Sequence, residues 1–192
     1  MVSAEAPALR SDAARNHLRI VTAAAAAFEA DGPAVSLDDI ARRAGVGIAT
    51  LYRRFGTREI LIKAVAEHIF AAEIATAIVE DGPDPWADLV ATITRTVDAF
   101  AAHPVLVSLA REYAVMEMDT MAAYRAAAQR VLVRARDAGV VRPDLTAADL
   151  KAVVVMALAI AHNSGCSGGG SRRYLALLAD GLKPTGRPLP EA

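Results

Sequence analysis

The sequence is poor in cysteine and in long apolar runs, and each shortage argues against a class of protein. Cys166 is the only cysteine, so no internal disulfide can form, and we expect a reducing, cytoplasmic location. Met1–Leu9 lacks the basic start and the apolar stretch of a signal peptide. The longest apolar run, Ala152–Ala161, is shorter than the roughly 20 residues that cross a bilayer. We therefore expect no membrane partner.

Patterns that carry catalysis or bind metals are also missing. Gly168–Gly170 is not followed by the Lys-Ser/Thr pair of a phosphate-binding loop, and Ser164 and Ser167 do not lie in the setting of a nucleophilic serine. The four histidines are scattered, without the spacing of metal ligands. They are His17, His68, His103 and His162. We predict no enzyme activity, no catalytic or metal-binding residues, and no cofactor.

The near-neutral net charge of −1 conceals an uneven distribution. From Arg10 to Lys63, nine basic residues stand against six acidic ones, a net charge of +3, which leaves −4 for the remainder. A basic segment on an acidic body suits a protein that touches DNA with one end only. The margin is too small to decide the function by itself.

Alanine-rich apolar patterns at helical spacing run through the chain, and alternating runs of strand type are absent. Hydrophobic residues make up 54% of the sequence. We predict an all-α protein of about nine helices, with a first helix over Asp12–Ala30 and a long helix over Arg58–Val79. The predicted organisation is a disordered tail (1–10), a DNA-binding domain (11–57), a second helical domain (58–182) and a flexible tail (183–192).

Two short helical patterns flank a glycine-bearing turn between Ser36 and Arg58. Ser36 is placed to cap the first helix, and Gly45 can adopt the left-handed conformation that ends it. Leu51 and Phe55, four residues apart, predict the buried face of the second helix. This is the sequence form of a helix-turn-helix, whose second helix lies in the major groove of DNA. Taken as spacing alone, two ordinary packed helices with a solvated basic face fit equally well.

The segment Ala44–Leu61, A-G-V-G-I-A-T-L-Y-R-R-F-G-T-R-E-I-L, resembles the signature of TetR-type bacterial transcriptional regulators. The resemblance reaches upstream to Arg19-Ile20-Val21, Phe28, Gly32 and Ile40-Ala41, and covers roughly the first third of the chain. It implies a three-helix DNA-binding unit followed by a helical domain for ligand binding and dimerisation. It also implies a double-stranded DNA operator as partner.

We divide the expected DNA contacts into those that hold phosphate and those that read bases. The phosphate candidates are Tyr52, Arg54 and Arg58, with the amide end of the helix that starts at Ser36 as a further anion site. The base-reading candidates are Ile48, Ala49, Thr50 and Arg53. The resemblance supports phosphate roles for the Tyr52 and Arg58 positions. Arg19 and Thr22 of the first helix are further candidates near the DNA backbone.

The signature departs from the family pattern at two positions. Gly47 stands where a capping Ser or Thr is common, so that cap and its phosphate contact are missing. Ile48 stands where a polar or basic residue is frequent. Both departures make direct base readout sparse, and Arg53 is then the one side chain that can bind guanine through two hydrogen bonds.

The second domain contains aromatic, methionine and histidine residues that suit either a ligand pocket or an ordinary core. These residues are Trp86, Phe100, Tyr113, Met116, Met118, Tyr124, Met156 and His162. The resemblance implies an effector that weakens DNA binding but not its identity, and the methionines suit a small apolar molecule. A regulator that binds DNA constitutively, or binds a partner protein, without any small molecule is the alternative.

The last two helices carry more apolar surface than one chain can bury. The helix up to about Asn163 is apolar on every side, and the final helix, Ser171–Asp180, has a further apolar stripe. A helix of this kind needs a partner on its second face. We therefore predict a homodimer through a four-helix bundle made by these two helices, and the family resemblance implies the same arrangement.

Overall fold

The computed structural model describes residues 5–113, 119–162 and 169–190, without the side chains of residues 5–12, 119–120, 162 and 169–171. Within these residues the chain forms nine α-helices and no strand, which confirms the predicted all-α fold. The helices are α1 (Glu5–Asp31), α2 (Leu37–Arg43), α3 (Ile48–Phe55), α4 (Arg58–Ile69), α5 (Pro85–Ala101), α6 (Pro104–Glu112), α7 (Asp119–Asp137), α8 (Ala147–His162) and α9 (Gly169–Asp180).

Helix ends follow the capping residues in the sequence. The Thr146 hydroxyl accepts a hydrogen bond of 3.3 Å from the Asp149 amide, and the Asp149 carboxylate accepts one of 2.8 Å from the Thr146 amide. This reciprocal pair is the predicted capping box of α8. The Asp84 carboxylate caps α5 by accepting from the amides of Trp86 and Ala87. Local side-chain chemistry therefore sets these boundaries.

Two predicted boundaries are wrong. α1 begins at Glu5, so the second half of the predicted disordered tail is helical. The predicted long helix over Arg58–Val79 ends at Ile69 and continues as a π-helical turn over Phe70–Ile74 and a 3₁₀ turn over Ala75–Ala77. Beyond these turns Ile78 is extended, and the Thr92 hydroxyl accepts a hydrogen bond of 3.0 Å from the Val79 amide, so the chain at Val79 is attached to α5 and does not continue the helix.

The helices divide into two compact units. The first contains α1 to α4 together with α6, and the second contains the π and 3₁₀ turns, α5, α7, α8, α9 and the C-terminal tail. We expected the domain boundary at residue 58, where the helix-turn-helix motif ends. In the structure α4 and α6 also belong to the first unit, because their apolar faces are buried in its core. Leu61, Ile62 and Val65 bury α4 in the first core, and Leu106 and Leu109 bury α6 there.

Glu29 of α1 attaches α6 to the first unit. Its carboxylate accepts hydrogen bonds from the amides of Leu106, at 3.0 Å, and Val105, at 3.3 Å. These two amides belong to the first turn of α6, where a helix has no internal acceptors and favours negative charge. Leu106 and Leu109 of α6 are part of the first core. Its largest fully buried side chains are Phe28, Ile20, Ile40, Leu51, Leu61 and Ile62.

The second unit packs α5, α7 and α8 around Leu89, Leu132 and Val153. This unit contains a buried carboxylate, Asp88. The Arg134 guanidinium donates hydrogen bonds to Asp88 and also to the carbonyl oxygens of Glu80 and Gly82. A charge removed from water in this way needs such a set of partners. No helix among the described residues has the length and apolar character to cross a membrane.

Candidate nucleic-acid interface

α2 begins at Ser36, as predicted. The Ser36 hydroxyl accepts from the Asp39 amide at 3.1 Å and donates to the Asp39 carboxylate at 2.8 Å. The hydrogen bond that the Ser36 hydroxyl donates to the carboxylate, together with the Arg42 guanidinium, holds the pKa of Asp39 below its ordinary value. The Ser36 hydroxyl is thus occupied within the helix cap, and a carboxylate lies at the helix end that we expected to attract phosphate.

The turn between α2 and α3 is set by Gly45, which has a φ of +62°. The Val46 amide donates to the Ala41 carbonyl at 3.0 Å, and the Gly45 amide donates to the Arg42 carbonyl at 3.1 Å. These two bonds form the Schellman motif, in which glycine tolerates the left-handed conformation better than other residues. The predicted function of Gly45 in ending the helix is therefore confirmed.

α3 is held to the first core by its two predicted anchors and exposes the residues between them. Leu51 and Phe55 are buried, whereas Tyr52 is 50% exposed and Arg53 and Arg54 are exposed. Because the anchors lie one turn apart, Tyr52, Arg53 and Arg54 project away from the core. The helix thus presents a polar, cationic surface to solvent.

The four base-reading candidates differ in exposure. Ala49 and Arg53 are exposed, and Arg53 makes no hydrogen bond or ion pair with any residue that the structure describes. Thr50 is half-buried. Ile48 is half-buried and packs against the first core, so part of its side chain is used to hold the start of α3. Arg53 is therefore the best-placed reader of the four.

Arg54, a phosphate candidate, is connected to α1. Its Nε donates to Nδ1 of His17 at 3.4 Å, and the His17 ring stacks on Phe55 with ring centres 5.3 Å apart. Burial is the main cause that lowers the pKa of His17, followed by the positive charges of Arg54 and His68. A neutral His17 can accept the Arg54 hydrogen bond, whereas a protonated one cannot.

Arg58 binds the protein's own backbone. Its guanidinium donates to the Val35 carbonyl at 2.6 Å and to the Pro33 carbonyl, and it lies over the Phe28 ring at 5.2 Å from the ring centre. The family resemblance assigns this position to phosphate. In this chain the guanidinium is already engaged with the segment that leads into α2.

Arg19 has a similar arrangement at the other end of α2. One Nη atom donates to the carbonyls of Ala44, at 2.7 Å, and Gly45, at 3.1 Å. We expected Arg19 near the DNA backbone, and the sequence reasoning missed its contact with the end of α2. The only sequence signal is the glycine that ends α2, because such an end leaves carbonyls that need donors.

The structure distributes the ligand-binding candidates over different surroundings. Tyr124 shares a hydrogen bond of 2.6 Å with Thr96 and meets the Phe70 ring edge-on, with ring centres 5.6 Å apart. Burial raises the pKa of Tyr124, although the Thr96 hydrogen bond acts in the opposite direction. Phe100 is half-buried. Tyr124 is thus a partly buried hydroxyl with one polar partner and one aromatic neighbour.

The remaining candidates do not join Tyr124 in a described group. Trp86 packs against the second core and lies 5.0 Å from the Lys183 ammonium, whereas Met156 is 46% exposed on α8. Tyr113 belongs to the first unit and packs against the first core. Met116, Met118 and the His162 side chain lie outside the described residues. Side-chain type predicted these residues, but type does not specify which face of a helix they occupy.

A cavity of about 360 Å³ lies under the C-terminal tail, lined by Arg142 to Asp144 and Pro184 to Pro188. None of the predicted ligand residues lines it. The Arg142 guanidinium donates to the Thr185 hydroxyl at 3.0 Å and to the Arg187 carbonyl, and the Leu189 amide donates to the Asp144 carboxylate. The described part of the tail that we expected to be flexible is therefore held against the second unit.

Comparison with protein families gives two matches. Residues 20–65 match the model of bacterial regulatory proteins of the tetR family. Residues 84–184, more than half of the chain, match the model of the C-terminal domain of SbtR-like transcriptional regulators. The first match includes the whole of the segment from α2 to α3, and the second begins at the cap of α5.

Comparison with individual proteins gives the same picture. The chain is similar to a TetR transcription regulatory protein from Mycobacterium vanbaalenii, with 33% identity, a TM-score of 0.64 and coverage of 91% of this chain and 99% of that one. It is also similar to the TetR transcriptional regulator SCO0520 from Streptomyces coelicolor, with 31% identity, a TM-score of 0.55 and coverage of 88% and 99%. The HTH-type transcriptional repressor LfrR from Mycolicibacterium smegmatis is 29% identical over 119 residues, which span 62% of this chain and 62% of that relative's length.

Proposed function

Since this chain belongs to the TetR family of bacterial transcriptional regulators, we propose that it is a cytoplasmic, homodimeric repressor of a palindromic operator. Binding of a small apolar molecule to the second unit releases it from DNA. Regulators of this family bind DNA as dimers and are not enzymes, which confirms the prediction of a DNA-binding regulator without catalytic activity.

The observation that carries the DNA-binding proposal is the exposed face of α3. Leu51 and Phe55 fix the helix to the core, and this leaves Arg53 without a partner in the described structure and Tyr52 half exposed. A free arginine on such a helix can bind guanine through two hydrogen bonds in the major groove, and a tyrosine hydroxyl can donate to phosphate. We assign base reading to Arg53, and phosphate binding to Tyr52 and Arg54.

The exposed apolar side chains of α8 and α9 support a dimer through these helices. Val155 and Met156 on α8 are exposed, and so are Tyr174 and Leu177 on α9. Large apolar groups gathered on two consecutive helices gain free energy when a second copy covers them. A two-fold dimer presents two α3 helices, so the half-sites lie about 34–36 Å apart along the operator, or a multiple of that distance.

Tyr124 supports the effector part of the proposal. Its hydroxyl and that of Thr96 form a polar pair beside the Phe70 ring, and a few polar groups in an apolar setting are what a small-molecule site requires. The effector must bind the DNA-free conformation more tightly than the DNA-bound one, because equal affinity shifts no equilibrium. Moving the occupancy from 99:1 to 1:99 requires a preference of about 10⁴-fold.

A constitutive regulator without a small-molecule effector is the alternative. The observation that favours it is the dispersal of the candidate ligand residues, since Met156 faces solvent and Tyr113 belongs to the first core. Under this alternative, Tyr124 and Thr96 only stabilise the second unit. The two proposals differ in whether a small molecule changes the affinity for DNA.

Selection of bound genomic fragments tests the proposal in the order of its claims. Enrichment of a palindrome with half-sites one helical turn apart supports the dimer and the operator, and transcript levels in a deletion strain distinguish repression from activation. Molecules related to the products of the regulated genes are then added to the protein–operator complex. Release by one of them, lost in Tyr124→Phe or Thr96→Val, supports the effector site. If the protein selects no sequence, the operator proposal is wrong.

A further inference from the structure

We infer that α2 is clamped at both ends by two arginines, Arg19 from α1 and Arg58 from α4, and that this clamp positions the recognition helix. The inference concerns residues that do not read bases themselves. It rests on the proposed DNA binding only for its functional consequence. The clamp itself is a property of the free protein.

The C-terminal end of α2 is held by Arg19. The carbonyls of Ala44 and Gly45 lie where the helix has ended, so no helical amide can reach them. One Arg19 nitrogen donates to both, at 2.7 Å and 3.1 Å. A guanidinium at this end also matches the negative end of the helix dipole.

Gly45 makes room for this contact. A Cβ atom added to Gly45 would lie 2.6 Å from an Arg19 nitrogen, closer than real Cβ contacts allow. The glycine therefore serves two purposes, since its φ of +62° forms the turn and its missing side chain admits the guanidinium.

The N-terminal end of α2 is held by Arg58. Its two Nη atoms donate to the carbonyls of Pro33 and Val35, in the segment that delivers the chain to the cap at Ser36. The guanidinium also lies over the Phe28 ring, 5.2 Å from the ring centre, within the range of a cation–π contact. A lysine ammonium lacks the planar pair of donors that reaches both carbonyls, so it cannot replace this contact.

The two contacts bear on α3 because α2 and the turn set where α3 begins. Ala44 and Gly45 lie four and three residues before Ile48, where α3 starts, and Arg19 binds both carbonyls. A site that reads base edges requires placement to within a fraction of an ångström. The exposed Arg43–Asp31 ion pair also joins α2 to α1, but exposed pairs contribute little. The guanidinium–carbonyl bonds are therefore the stronger constraint.

Hydrogen exchange of the free protein tests the clamp without DNA. The variants Arg19→Lys and Arg58→Lys retain the charge and lose the geometry, whereas Arg42→Lys is the matched control, because Arg42 is exposed on α2 and pairs only with Asp39 among the described residues. We expect faster exchange of the amides from Asp39 to Phe55 in both clamp variants and no change in the control. Unchanged exchange in the clamp variants overturns the clamp, whatever happens to DNA binding.

Salt-dependent DNA binding tests the positioning role. We expect each clamp variant to bind the selected operator at least about tenfold more weakly, comparable to one lost base contact, with the salt slope and non-specific affinity unchanged. If Arg19→Gln or Arg58→Gln makes the slope shallower by about 0.9 per lost contact while the lysine variants bind as wild type, these arginines hold phosphate and the inference is wrong. If the glutamine variants do not fold, the lysine variants decide alone.

Two further outcomes are informative. A lower melting temperature with unchanged operator affinity makes the two arginines stabilising residues only, and this overturns their positioning role. Faster exchange in the clamp variants, with a wild-type protein that binds no duplex, means that the proposed function fails while the clamp stands.

Discussion

Three arginines at the recognition helix have three different environments, and only one of these environments leaves the guanidinium without a partner among the described residues. Arg53 has no partner among the described residues, Arg54 bonds to His17, and Arg58 binds two backbone carbonyls. From sequence all three are basic residues beside a recognition helix, and family resemblance favours phosphate for the last. The sequence therefore predicted where cations cluster, but the partners of Arg54 and Arg58 lie more than 20 residues away in the chain.

Replacing Arg53 by Ala should remove base discrimination. At the contacted base pair, we expect the preference for guanine over the other bases to fall by about 1–3 kcal/mol, because the two hydrogen bonds from Arg53 are lost. Selection of binding sites from random duplexes measures the preference directly. Arg42→Ala is the control and should select the wild-type sequence. An unchanged preferred site for the Arg53 variant removes Arg53 from the base-reading residues.

His17 predicts a pH dependence of stability. Its pKa lies below the ordinary value of 6.5, so between these two values the unfolded state holds more protons than the folded state. The free energy of unfolding should therefore fall as the pH drops from 6.5 through the folded pKa, and level off below it. Urea unfolding from about pH 8 to about pH 5 measures this component as the difference between wild type and His17→Gln. Parallel pH profiles of the two proteins contradict the assignment.

At the scale of single helices, the sequence predicted where helices begin and end better than it predicted which distant segments they contact. Ser36, Asp84 and Thr146 cap their helices through residues two or three positions away, so the sequence contains all of the information needed. The segment after α4 is attached through a more distant residue, because the Thr92 hydroxyl of α5 accepts from the Val79 amide. A hydrogen bond between distant segments has no local signature, so the sequence did not show that Val79 leaves the predicted helix to bond with α5.

The cap of α2 gives a prediction for that element. Ser36→Ala removes the acceptor of the Asp39 amide and should lower the free energy of unfolding by about 1 kcal/mol. Chemical denaturation measures the change, and Ser36→Thr, which retains a hydroxyl, is the control. A Ser36→Ala protein as stable as wild type shows that water replaces the cap without loss.

At the scale of the whole molecule, the apolar surface of α8 and α9 predicts association. Leu177 is 57% exposed, and Leu177→Glu should weaken the homodimer at least about a hundredfold, since an interface then buries two unpaired charges. Sedimentation velocity across micromolar concentrations measures the dimer fraction. Leu18→Glu, at a similarly exposed leucine of the first unit, should sediment as wild type. If the Leu177 variant also sediments as wild type, the interface lies elsewhere.

The sequence motif indicated the family and a division into two units, but it did not indicate that α6 belongs to the first unit. Its sequence, beginning at Pro104, is an ordinary amphipathic helix, and the carboxylate that binds its first amides comes from Glu29, in α1. Apolar periodicity shows that a face is buried but does not identify what covers it. The surroundings of the predicted ligand residues failed to follow from sequence for the same reason.

The return of α6 to the first unit also restricts how the gene can be recombined. A coding fragment that stops at Ile69 omits Leu106 and Leu109. The encoded protein therefore has a cavity in its first core, and the Glu29 carboxylate loses the amides that it binds. A single crossover within Phe70–Ala102 therefore joins mismatched halves of one core. Chimeric regulators that exchange the second unit need junctions on both sides of α6, so that α6 is inherited together with α1 to α4.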